Sequence, residues 1–190
     1  NPWEPEADQL IYQYTKPGTV ALDIGAHIGT HTIALSRAVG KNGVVIAFEP
    51  QKKICRELHM NLLLNGCTNT IPIHCALGDK DGQVGLVTPR PGNEGGTYVG
   101  GGKEIVSVKR LDDFGIRNIS FIKMDVENYE DMVLAGAFTT LTNSRPFMLL
   151  EIQGNWDELH EAGGDYWEKT CATIATLEKL GYTDFHCGGS

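Results

Sequence analysis

The stretch VALDIGAHIGTHTIAL, residues 20–35, holds residues whose types and spacing are suited to chemistry. An acid, Asp23, closes an apolar run, and Gly25 and Gly29 follow four residues apart with His27 between them. A dinucleotide-binding turn is written G-x-G-x-x-G, and its glycines let the backbone approach a pyrophosphate at a helix N-terminus. The spacing here is different, and the charge of Asp23 would repel a pyrophosphate. An acid in that place suits a ligand with an ammonium group. Glu49 closes the next apolar run, GVVIAFEP, where a carboxylate can accept hydrogen bonds from both hydroxyls of a ribose. An amino acid joined to adenosine without phosphates meets both demands, and that ligand is S-adenosylmethionine. Taken singly, the glycines could serve only helix–strand packing, and Glu49 could be a solvated strand end before Pro50. Their conjunction carries the reading.

Methyl transfer from a sulfonium is an in-line displacement, so a protein contributes mainly alignment of the acceptor. A hydroxyl acceptor also needs a base. Ligands of open parallel sheets lie beyond the carboxyl ends of the strands, which singles out Asp125 and Glu127 in KMDVENYE and Glu151 in MLLEIQ. Lys123 shares the face of Asp125 by strand alternation and could orient the acceptor. Asp125 and Glu151 rank first as catalytic candidates, with Lys123 and Glu127 behind them. The plainer roles are an ion pair for Lys123 and helix N-terminal charge for Glu127 and Glu130. Three acids around one pocket could also hold a divalent cation. No tight D-D or D-x-D cluster stands at the end of the fourth or the fifth strand, so a metal is not favoured. His27 and His31 lack a third ligand and are not read as a metal site.

Positioning these groups requires a particular order of elements. PEADQLIYQYTKPG reads as a short helix stopped at Pro17-Gly18. Val20–Ile24 and GVVIAFEP are buried strands, separated by a helix over Thr30–Val39. KKICRELHMNLLLNG is a second such helix, and TIPIHCALGD a third strand bent by Pro72. This β-α-β-α-β rhythm implies right-handed crossovers and a mostly parallel sheet with helices on both faces, an α/β Rossmann-like fold. A β-hairpin insert around 83–109 follows, its two strands flanking RPGNEGGTYVGGGK. The six glycines between Gly92 and Gly102 predict a mobile tip, either a loose hairpin end or a loop that covers the site or binds the acceptor. ISFIKMDV is the fourth core strand, followed by one helix from about Tyr129 to Leu141. PFMLLEIQ is the fifth strand. A long helix with Trp167, Cys171, Ile174 and Leu177 on one face leads to a sixth strand, YTDFHC.

Composition narrows the function. At 190 residues the chain is read as a single domain, residues 1–190, and its net charge of −8 opposes a nucleic-acid partner. No apolar run reaches the roughly 18 residues that span a bilayer. Five cysteines without C-x-x-C spacing suggest reduced thiols and a cytoplasmic setting. Because the first residue is Asn and not Met, the chain is read as a domain excised from a longer polypeptide, in which neighbouring glycosyltransferase domains would point to a glycan.

The blocks LDIGAHIGTHTIALS, GVVIAFEPQ, LLLNG, CALGDKDG, VSVKRLDDF, FIKMDVENYEDMVLAGA and MLLEI, over residues 19–152, resemble in order those of FkbM-type S-adenosylmethionine-dependent methyltransferases. The resemblance implies the class I methyltransferase fold, a seven-stranded, mostly parallel sheet, and O-methylation of a sugar or other small-molecule hydroxyl. It further implies that Asp23 and the backbone of Gly25, Ala26, His27, Ile28, Gly29 and Thr30 hold the methionine portion. Glu49, with Pro50 beside it, would take the ribose, and Cys75, Ala76 and Leu77 would flank the adenine. The sequence departs from the family pattern at His27, where relatives carry Asn, at Asn128 in place of Gly, and at Gln153 in place of His. The closing antiparallel strand of the family is also missing after YTDFHC. Asn tolerates a left-handed backbone, so the turn at Asn128 can survive. Three alternatives are weighed. A nucleic-acid methyltransferase would carry an N-P-P-Y-like motif where this chain has D-V-E-N. A non-catalytic cofactor-binding module would not need Asp125 and Glu151. A nicotinamide oxidoreductase fails on glycine spacing.

Overall fold

A computed structural model describes residues 4–89, 94–152 and 165–186. Gly92, Gln153, Cys187 and the side chain of Trp167 lie outside the described residues. The elements are α1 (Pro5–Tyr14), β1 (Val20–Ile24), α2 (Thr30–Val39), β2 (Val44–Phe48), α3 (Lys52–Leu64), β3 (Thr70–Ile73), β4 (Ala76–Leu77), β5 (Gly82–Val87), β6 (Tyr98–Gly100), β7 (Glu104–Lys109), β8 (Ile119–Met124), α4 (Glu130–Ala135), α5 (Phe138–Ser144), β9 (Phe147–Leu150) and α6 (Asp165–Lys179). Single 3-10 turns cover Glu94–Gly96 and Leu111–Phe114.

Five strands form one parallel sheet in the order β3-β2-β1-β8-β9. The order reverses between β1 and β8, and this switch point opens a crevice at the carboxyl ends of those two strands. Alternation along the strands divides the core. Ala21, Val45 and Phe121 face α1 and α2 through Ile11, Leu35 and Val39. Leu22, Ile24, Ile122 and Met124 face α4, α5 and α6 through Leu134, Leu141 and Leu177. Each fully buried Leu, Ile or Phe in these layers contributes roughly 1.5–3 kcal/mol. α1 is fastened by a stack in which Tyr14 lies 3.9 Å from Phe147, itself 5.4 Å from Phe121.

Four further strands form a second sheet in the order β4-β7-β5-β6. β5 and β7 are the expected antiparallel pair, in register from Gly82↔Val108 to Leu86↔Glu104. Five features differ from the sequence expectation. TIPIHCALGD is not one strand, because the chain turns at His74-Cys75 and passes from β3 in the first sheet to β4 in the second. The insert is not only a tip: a 3-10 turn forms within it, and β6 pairs with β5. The helix expected over Tyr129–Leu141 breaks into α4 and α5 at Gly136, where a Cβ would stand 1.9 Å from the carbonyl oxygen of Gly78. In α6 the buried face is Thr170, Thr173 and Leu177, continued by Leu180 just past its end, while Cys171 is exposed. YTDFHC forms no strand over its described residues 182–186, which lie without a ladder partner. Among the described residues nothing pairs with the outer flank of β9.

Candidate functional site at the switch point

The candidate residues occupy the first position beyond their strands, and the sheet ladder runs one step further to hold them. The backbone N–H of Glu49 donates to Ile73 O (3.0 Å), that of Gly25 to Phe48 O (3.0 Å), that of Asp125 to Ile24 O (2.9 Å) and that of Glu151 to Met124 O (2.9 Å). Four residues far apart in sequence are thereby set in a row across the sheet edge, about 4.8 Å per strand. Gly25 is required where it stands. Its φ is +80°, and a Cβ would lie 1.7 Å from the carbonyl oxygen of Asp125. Gly29, at φ +95°, is constrained instead by Leu58 of α3, which a Cβ would approach to 2.6 Å.

A cavity of about 420 Å³ opens above this row, within the size range of small-molecule sites. Gly25, Ala26, His27, Ile28, Thr30, Glu49, Pro50, Cys75, Ala76 and Leu77 all line it. So do Lys123, Asp125, Glu127 and Glu151. Asp23 and Gly29 do not. Asp23 lies below the floor, 1% exposed, and its Oδ2 accepts the hydroxyl of Thr32 (2.5 Å).

Glu49 is buried, and each carboxylate oxygen accepts one main-chain N–H: Oε2 from His27 and Oε1 from Gln51, both at 2.8 Å. Burial pushes its carboxyl up to about 7, against the lowering effect of these two bonds. His27 acts here through its backbone, at φ +49°, a conformation that Asn and His adopt more readily than most residues. The Cys75 thiol is also lifted, to about 11, by burial first and then by Cys55, and it stays protonated.

The far end of the row is built from side chains. Lys123 Nζ is 3.1 Å from Asp125 Oδ2. Burial alone would lower the Lys123 ammonium, but Asp23, Asp125 and Glu151 hold it above the usual lysine value. Glu127 follows at φ +52° and Asn128 at φ +68°, the left-handed turn expected at the latter. Burial, then Asp125, Glu151 and Glu130, raise the Glu127 carboxyl to about 7. The Glu151 carboxyl is likewise raised, by burial and by Asp125. Glu130, in the first turn of α4, accepts the N–H of Asn128 (3.2 Å).

Several lining residues escaped the sequence reading. His31 in the first turn of α2 places Nε2 3.4 Å from Glu4 Oε2, and both line the cavity. Tyr129, Gln51, Glu94 and Thr97 also line it. Only Gln51, two positions after the strand-end acid, carried a local signal. Among the described residues no group of three or more His, Cys, Asp or Glu side chains is arranged to hold a metal ion, and no helix is long and apolar enough to cross a membrane.

A family model described as the methyltransferase FkbM domain matches residues 23–183. The chain belongs to the FkbM methyltransferase family. No curated protein matches it by sequence. Among solved structures it is similar to methyltransferase FkbM from Methylobacillus flagellatus KT, with 18% identity over 92% of this chain and a TM-score of 0.59. It spans only 44% of that protein's length. A putative rRNA-methylase from Clostridium thermocellum matches with 15% identity over 92% of this chain and 78% of its own, at a TM-score of 0.60. Aeropyrum pernix fibrillarin, solved with natively bound S-adenosyl-L-methionine, matches with 16% identity over 93% of this chain and 64% of its own, at 0.55. At these identities the likeness establishes the fold: this FkbM-family chain has the α/β architecture of class I methyltransferases, with its mostly parallel central sheet.

The donors and acceptors around the cavity fit an adenosyl amino acid. Each Glu49 oxygen is engaged by one N–H and keeps acceptor capacity for a ribose hydroxyl. Cys75, Ala76, Leu77, Leu86 and Val99 supply an apolar slot for a base.

Proposed function

We propose that the protein transfers a methyl group from S-adenosylmethionine to a hydroxyl oxygen of a sugar or glycan. One observation carries the reading: a buried carboxylate, Glu49, held by two main-chain N–H groups at the edge of a crevice whose other end holds Lys123, Asp125, Glu127 and Glu151. A diphosphate cofactor would meet that acid with like charge. S-adenosylmethionine, when bound, supplies an electrophilic methyl carbon on a sulfonium that departs as a neutral thioether.

The residues of the chain divide the remaining work. Glu49 holds the ribose, and the loop from Gly25 to Thr30 lies against the amino-acid portion. Asp125 and Glu151 accept hydrogen bonds from the acceptor and orient it. Glu127 takes the hydroxyl proton, since a carboxyl near 7 is matched to base work at neutral pH. Lys123, whose ammonium is held charged by Asp23, Asp125 and Glu151, sets a positive charge among these acids. An RNA acceptor is disfavoured by the acid-lined cavity and the net charge of −8. The soluble, cytoplasmic setting read from the cysteines, and fusion to glycosyltransferase domains, belong to this proposal as well.

Incubation with isotope-labelled S-adenosylmethionine and a panel of mono- and oligosaccharides, read by mass spectrometry, tests the reading. A label retained on a hydroxyl is the expected result. Calorimetry that shows NAD binding and no S-adenosylmethionine binding overturns it. Chelator is expected to leave turnover unchanged, because Lys123 already occupies Asp125 and no D-D or D-x-D pair stands at the ends of β8 and β9.

A further inference from the structure

At the rim of the site, hydrogen bonds around the start of α3 join the insert that carries the second sheet to the edge of the first. Gln51, directly before that helix, is 7% exposed, and its main chain and both ends of its side-chain amide are hydrogen-bonded. Its backbone N–H donates to Glu49 Oε1 (2.8 Å), its Nε2 donates to the carbonyl oxygen of Glu94 (2.8 Å), and its Oε1 accepts the hydroxyl of Thr97 (3.1 Å). Two tethers lie outside it. The N–H of Lys52, an orphan donor of the first helical turn, is capped by Glu104 Oε1 (2.9 Å) at the start of β7. Lys53 Nζ pairs with Glu94 Oε1 at 3.0 Å. Glu94, Gly95, Thr97 and Val99 thereby become cavity wall.

We propose that Gln51 is a positioning residue that clamps the 94–99 segment onto the ribose-binding end of the cavity, so that the second sheet serves the cofactor and not the acceptor. The proposal rests on the reading of Glu49 as the ribose carboxylate. Geometry sets the side. In the sheet order, Glu49 follows β2 and Glu151 follows β9, three strands or roughly 14 Å away. Every bond between the insert and the first sheet's edge named above falls on the β2 side. A single residue thus fixes Glu49 with its main chain and the insert with its side chain. Ordering either one lowers the cost of ordering the other, which is the physical content of coupling between them.

The test compares Gln51→Leu, which keeps the main-chain N–H and removes both side-chain bonds, with Glu49→Gln. Gln51→Leu is expected to weaken binding of S-adenosylmethionine about tenfold, the size of two modest hydrogen bonds less what water restores. It should raise the cofactor KM while kcat and acceptor KM hold. In wild type, amide hydrogen exchange over 94–99 should slow when S-adenosylhomocysteine is added; in Gln51→Leu it should not. Thr97→Val should reproduce a smaller loss and Thr97→Ser recover most of it, which decides the matter should Gln51→Leu fail to fold. Normal cofactor binding by Gln51→Leu, or a change confined to acceptor KM, overturns the clamp while leaving Glu49 in place. Normal binding by Glu49→Gln overturns the ribose reading, and the clamp with it.

Discussion

The two ends of the crevice are built from similar acids in opposite ways. At the β2 end, Glu49 is gripped by two main-chain N–H groups and one of these belongs to Gln51, itself locked into the second sheet. At the β8–β9 end, Asp125 is held by a side-chain ion pair, and Glu127 stands on left-handed backbone among other acids. Both Glu49 and Glu127 are raised to about 7 by burial first, with nearby acids adding to it; at Glu49 two main-chain hydrogen bonds oppose the rise. The difference fits the division of labour. In the proposed roles, a part of the ligand that never changes is met by backbone, whereas a proton in transit is met by side chains whose charge can adjust.

The largest effect should come from removing the cation that the β8 end depends on. Lys123→Met leaves Asp23 and Asp125 without a counter-ion in a buried setting, and about 3–5 kcal/mol of stability should be lost in urea unfolding. Adding Asp23→Asn should recover part of it; no recovery would mean that Lys123 does not neutralise Asp23.

Next in size, Glu49→Gln should weaken S-adenosylmethionine binding about 100-fold by calorimetry, the order expected when charge-assisted hydrogen bonds are lost. The same variant checks the pH sign. A carboxyl raised in the folded state binds its proton more tightly there than when unfolded, so its contribution is favourable at low pH and is lost as pH rises from about 4.5 through about 7. Unfolding measurements should show this decline in the ligand-free wild type and a flatter profile in Glu49→Gln.

A smaller effect separates the two acids in turnover. With saturating cofactor Glu49 is already engaged, so kcat should rise with pH through about 7 on Glu127 alone. Glu127→Gln should lose that limb. A limb that persists would move the base to Asp125 or Glu151.

The smallest is a labelling contrast. With its thiol lifted to about 11, Cys75 should resist iodoacetamide at pH 8 while exposed Cys171 reacts, as read by peptide mass spectrometry.

Much of the first sheet was legible because its signals are local. Apolar runs bounded by turn residues place β1, α2, β2 and α3, and the strand-end acids follow from the boundaries. What was missed depends on distant partners. The break at Gly136 answers to Gly78, and the start of α5 is capped by Asp112, which accepts the N–H groups of Thr139 and Thr140. β6 is only three residues long within a glycine-rich segment, and it takes its ladder from β5 beside it. Thr170 and Thr173 are buried in α6 where the apolar spacing pointed to Cys171. Within the site, the positions of Glu49, Asp125 and Glu151 could be read from the strands, but Glu4 and His31 meet only through the docking of α1 on the sheet.

That docking has a practical corollary. The family match begins at residue 23, yet α1 before it buries Ile11 completely and brings Glu4 to the rim beside His31. A recombinant fragment trimmed to open at Thr19 would keep every described strand and still lose Glu4 from the cavity wall. Homology boundaries here are narrower than the working unit.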